Sequence, residues 1–138
     1  GLHLYEQALR DFIHIEKYSD QRTVVALHDC FPVDRASATR ERKTYFWSGD
    51  VWKVISTLIK YRPDLEIFTV AAKPTGLGMV MGLNPSSTIL ADNYDRIVSE
   101  FINQEVPLDL TERRSSLRII DNRWEDIRAR ILRRREHG

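Results

Sequence analysis

His28 and Asp29 stand side by side where a short apolar run, Thr23 to Leu27, gives way to Cys30, Phe31 and Pro32. The run is rich in β-branched residues, so it reads as a buried strand. Polar side chains at the carboxyl end of a strand lie where open α/β sheets hold their ligands. The imidazole of His28 titrates near neutrality and can act as a general base on a substrate hydroxyl. The plainer alternative is a histidine hydrogen-bonded at a strand end. Asp29 either serves the same site or caps the following turn. As a site residue it would be replaceable by alanine with little loss of stability. Cys30 reads as a small buried residue, because no base other than its near neighbour His28 suggests itself to activate it. Trp47 and Trp52 flank a helix start and could line a substrate pocket, core packing being the commoner fate of tryptophan. The cluster Arg40 to Lys43 could hold a phosphate or a sugar-nucleotide, or be a solvated loop.

The elements that would position these residues follow from periodicity. A helix over residues 4–18 carries Tyr5, Ala8, Leu9, Phe12 and Glu16 on one side. The strand at 23–27 comes next, then a polar excursion over 31–46. Ser48 is a candidate N-cap for a helix faced by Val51, Trp52, Ile55, Leu58 and Ile59, which Pro63 stops. Residues 65–71 and 77–83 read as two strands joined by the turn Lys73-Pro-Thr-Gly76, an antiparallel hairpin. Asp92 could cap a helix faced by Tyr94, Ile97, Val98 and Phe101. Residues 107–116 read as irregular. A last helix spans about 122–134, with Trp124, Ile127 and Ile131 inward. A strand, a crossover helix and another strand predict an α/β layer with a three-stranded sheet.

Composition sets the outer limits. The 138 residues are 42% apolar and 30% charged, enough for a packed core. No apolar run approaches the roughly 20 residues that span a bilayer, and no signal peptide is visible. The single cysteine excludes an internal disulfide and a multi-cysteine zinc site. A cytoplasmic location is the default expectation. Net charge is +1, but residues 111–138 hold nine arginines against five acids. The basic run Arg133 to Arg135 could touch phosphate. The bland reading is a set of cations suited to the negative end of a helix, so nucleic acid is not the expected partner.

Four short motifs fall in one order. Gly1-Leu-His3-Leu-Tyr5-Glu is followed by Arg10-Asp11-Phe12. His28-Asp29 closes a strand, Gly49-Asp50-Val51-Trp52-Lys53 opens a helix, and Thr75-Gly76-Leu77-Gly78 turns a hairpin. Over about residues 1–85 this resembles the carboxyl-terminal half of a class I S-adenosylmethionine-dependent methyltransferase. The resemblance implies a partial Rossmann-like sheet (strand, helix, antiparallel hairpin) over 1–85 and a helical extension over 86–138 packing on it. It implies O-methylation of a small or sugar-like acceptor, with His28 and Asp29 catalytic and His3 and Trp47 near the acceptor. Some sugar and catechol-type members hold a divalent metal through strand-end carboxylates, and Asp29 matches one such position, which suggests Mg²⁺. S-adenosylmethionine would be held by the other half of the fold. No G-x-G-x-G pattern occurs here, so the chain, as a fragment or a truncated gene product, is not expected to bind that cofactor alone. The alternative is a non-catalytic α/β module for dimerisation or binding. In either case the 23–27 strand would present an unpaired edge, from which a homodimer is expected.

Overall fold

The computed structural model describes residues 4–45 and 47–137, with side chains to residue 134. In chain order the elements are α1 (Tyr5–Lys17), β1 (Val24–His28), α2 (Trp52–Tyr61), β2 (Glu66–Val70), β3 (Leu77–Met81), α3 (Ile89–Asp92), α4 (Tyr94–Phe101), α5 (Leu110–Ser116), β4 (Ile119–Ile120) and α6 (Trp124–His137). The architecture is mixed α/β. No helix among the described residues is long and apolar enough to cross a membrane.

The four strands form one open mixed sheet in the order β1-β3-β2-β4. β3 runs antiparallel to both neighbours, pairing Ala26 with Met79 on one side and Phe68 with Met79 on the other. β1 and β2 are therefore parallel to each other, with α2 in the connection between them. The alternation of side chains along each strand divides the interior in two. Val25, Ile67 and Val80 face the layer of α1, α2 and α4, where Leu9, Phe12, Ile55, Leu58, Ile97 and Phe101 are buried. Phe68, Val70, Met79 and Met81 face the other way, against Ile127 and Ile131 of α6.

Three expectations are corrected. The sheet has a fourth strand, since Ile119–Ile120 adds to β2 in parallel, with Thr69 N–H donating to Arg118 O and Ala71 N–H to Ile120 O. Residues 110–116 are helical, because the Asp109 carboxylate accepts the Glu112 N–H and caps the first turn. Ser48 does not cap α2: its hydroxyl donates to Ser37 O, and Val51 stands at the N-cap without a side-chain cap. Two smaller readings also move. Asn93, not Asp92, precedes α4, and Trp124 is 64% exposed rather than inward.

Candidate functional site

β1 ends abruptly. After His28 the backbone turns through Asp29, whose φ is +63°, a left-handed conformation that aspartate tolerates better than most residues. The turn drives the Asp29 carboxylate inward to 5% exposure. Its Oδ1 accepts the Thr75 hydroxyl at 2.5 Å and lies 3.1 Å from His28 Nδ1. Phe31 N–H donates to Thr75 O at 2.6 Å, which ties the same hairpin turn to the segment after β1. The approach requires glycine at position 76, where φ is +78°, and leaves little room for a side chain at position 78. A Cβ on Gly76 would fall 2.3 Å from Phe31 Cβ, and one on Gly78 would fall 2.7 Å from Ile55 Cδ1. The turn Thr75 to Gly78 is thus the piece that seats Asp29.

This geometry makes a histidine oriented by a carboxylate. The His28 ring is 66% exposed. Its Nδ1 is the nitrogen beside Asp29, so a proton held there would leave Nε2 as the basic nitrogen. Such a pair can take a proton from a hydroxyl and hold the resulting imidazolium beside a negative charge.

The other candidates divide. Asp29 is buried and tied to the Thr75 hydroxyl, an arrangement in which alanine would cost stability, unlike the exposed strand-end carboxylate expected. Cys30 is fully buried, and burial pushes its thiol up to about 12, so it is not a nucleophile. Trp47 lies in the polar excursion, where its Nε1–H donates to Thr39 O at 2.6 Å, and it does not line the groove beside His28. His3 lies outside the described residues.

Arg40, read as a possible phosphate ligand, forms a bidentate pair with Glu6 and also donates to Asp50. The Lys53 ammonium donates to Asp50 and to Ile102 O, and burial pushes its pKa down although Asp50 opposes the shift. Asp50 also accepts the Tyr5 N–H that opens α1. This cluster staples α1, α2 and the excursion together. It was not legible in sequence, because its members are spread from residue 6 to residue 53.

A divalent cation of the Mg²⁺ type takes several oxygen ligands. Asp29 could supply one, but no group of three His, Cys, Asp or Glu residues arranged for a metal occurs among the described residues. The described residues likewise contain no glycine-rich turn between a strand and a helix that would cradle a nucleotide cofactor.

Beside His28 a groove of about 310 Å³ runs between the outer edge of β1 and α1. Leu4, Ala8, Asp11 and Ile15 form one wall, and residues 26–29 form the other. No protein-family model, no curated protein and no solved structure matches this chain.

Proposed function

We propose that this chain is the acceptor-side portion of a class I S-adenosylmethionine-dependent O-methyltransferase acting on a small or sugar-like hydroxyl compound. The observation that carries the reading is the exposed His28 ring held by Asp29 at the carboxyl end of β1. The strand order supports it: an antiparallel β3 lies between parallel β1 and β2, with a helix linking the parallel pair. That order resembles the end of the methyltransferase sheet.

In this reading the acceptor hydroxyl approaches the solvent side of the ring, and its proton passes to His28 Nε2. Asp29 keeps the ring in the required tautomer and offsets the imidazolium charge. The Thr75 hydroxyl holds the Asp29 carboxylate in place. These residues account for deprotonation alone. The methyl donor and the groups that hold it would be supplied from outside the described residues.

The test uses the protein expressed from its complete reading frame. Calorimetric titration should show binding of S-adenosylmethionine, with release of the demethylated cofactor in the presence of catechol or hexose acceptors. His28→Ala should lower turnover by roughly 10²–10⁴-fold with cofactor binding retained. Absence of cofactor binding by the complete protein overturns the proposal.

A further inference from the structure

We infer that the groove between α1 and the start of α4 binds a phosphorylated small molecule through Arg10, His14 and Lys17. These three exposed side chains line one wall of the groove. Their spacing, i, i+4 and i+7, puts them on a single stripe of the helix. At 1.5 Å of rise per residue the stripe is about 10 Å long, with His14 between the two permanent cations.

The charges of α1 are sorted. Its carboxylates are all engaged away from this stripe: Glu6 with Arg40, Asp11 with Gln7, and Glu16 with Arg62. Arg10 and Lys17 enter no ion pair among the described residues. Cations in the last turn suit the negative end of a helix, which accounts for His14 and Lys17. That explanation does not reach Arg10, which lies about two turns before Lys17.

Arg10 is placed by an aromatic ring instead. Its guanidinium carbon lies 5.1 Å from the centroid of Tyr94. Such a contact orients the guanidinium without using its N–H donors. An arginine held by a ring rather than by a carboxylate keeps its fork for an oxyanion. Tyr94 is itself tied to α1, since its hydroxyl donates to Glu6 O at 3.4 Å. The His14 ring also has a neighbour, packing edge-on against Tyr18 with the centroids 5.3 Å apart.

The lining defines the ligand class. The groove has a volume of about 340 Å³, at the small end of the range for small-molecule sites, about 300–1,000 Å³. Ile13, Ala91 and Tyr94 give it apolar surface for the carbon body of a ligand. Asp95 lies on the wall opposite α1. Against it Arg10 and Lys17 leave one positive charge, and protonated His14 would raise the surplus to two. A lone carboxylate would be satisfied by the Arg10 fork alone. Donors on three side chains, with a surplus of positive charge, match a phosphate monoester, which carries close to two negative charges and three acceptor oxygens.

This inference does not depend on methyl transfer, and its readout is separate from cofactor binding. The protein from the complete reading frame would be titrated calorimetrically with phenyl phosphate and with benzoate, which share a ring and differ in the anion. Saturable one-to-one binding of phenyl phosphate is expected, roughly tenfold or more tighter than that of benzoate. Arg10→Gln and Lys17→Gln should each weaken it about tenfold, the loss of one charged hydrogen bond. Asp95→Asn should tighten it, an effect that does not require Arg10→Gln to fold. Arg128→Gln, which removes an exposed cation from α6, should leave it unchanged. The proposal is overturned by the absence of saturable binding, by benzoate binding as tightly, or by an affinity that Asp95→Asn leaves unmoved. Equal losses from Arg128→Gln and Arg10→Gln overturn it too, since binding would then follow diffuse charge rather than this groove.

Discussion

Asp29 and Asp50 are both buried carboxylates, 5% and 0% exposed, yet their surroundings differ in kind. Asp50 is bracketed by two cations, Arg40 and Lys53, and by the first N–H of α1. Arg40 is in turn held by Glu6, so the four charges balance within one cluster. Asp29 meets a threonine hydroxyl and a histidine whose ring stands mostly in water. A closed, balanced cluster ties elements together and has little capacity left for a ligand. A buried carboxylate reaching solvent through a titratable ring can pass a proton outward. The contrast gives Asp50 an architectural role and, under the proposed function, gives Asp29 an architectural and a chemical one.

The sharpest way to break this contrast is Asp50→Ala. It would leave the Lys53 ammonium, 3% exposed, and the Arg40 guanidinium without a shared partner. Removing one member of a buried charge pair costs about 3–5 kcal/mol, which a urea melt would register as a large drop in midpoint at constant slope. A loss below about 1 kcal/mol would mean that solvent already screens the cluster, and the distinction from Asp29 would fail.

Asp29→Ala should cost less, about 1–3 kcal/mol, because it leaves a buried hydroxyl without its acceptor and puts alanine at a positive φ. Asp29→Asn keeps an acceptor for Thr75 and tolerates the backbone, so it should recover most of the loss. Equal destabilisation by the two variants would show that the negative charge matters rather than the tether.

Acid titration probes the Asp50 cluster by another route. Burial acts to raise the Glu6 carboxyl, but the hydrogen bonds and charge of Arg40 outweigh it and hold the group below the usual carboxylate range. The unfolded chain then binds more protons than the folded one as pH falls through that range, around pH 4. Glu6 therefore contributes stability that is present above this window and lost below it. Arg40→Leu should flatten the acid limb of a melting-temperature profile, and an unchanged limb would remove Glu6 from the account.

The elements visible in sequence were those with a clear apolar pattern: α1, β1, α2, the β2–β3 hairpin with its Pro-Thr-Gly turn, α4 and α6. The missed ones lack that signal. β4 is two residues long, and its existence depends on where the chain passes β2. α5 has no apolar stripe. It is held by Asp109 at its start and by Arg113, which is 6% exposed and donates to the Pro107, Val33 and Leu108 carbonyls. A buried arginine serving backbone oxygens looks in sequence like any surface arginine. Arg62 shows the same limit, being fully buried between Glu16 and Asp64. Glu16 on the apolar stripe of α1 was the one hint of it. At the site, His28-Asp29 was legible because a polar pair ends an apolar run. The role of Thr75 was not, since 46 residues separate it from Asp29.

The smallest expected effect on stability is that of His28→Ala, and it bears most directly on the proposed chemistry. The ring buries little surface, and its contact within the pair is with Asp29, which Thr75 continues to hold. The pairing of β1 with β3 through the backbone at position 28 does not use the imidazole. Neither does the contact of the Cys30 thiol with the His28 carbonyl. Substitutions at such exposed positions usually stay within about 0.5 kcal/mol. A denaturant midpoint close to that of the parent chain is therefore expected, together with an unchanged amide-exchange pattern at residues 75–78. If the substitution instead cost as much as Asp29→Ala, the imidazole would be part of the tether. The exposed ring would then no longer mark the place where a proton leaves a substrate.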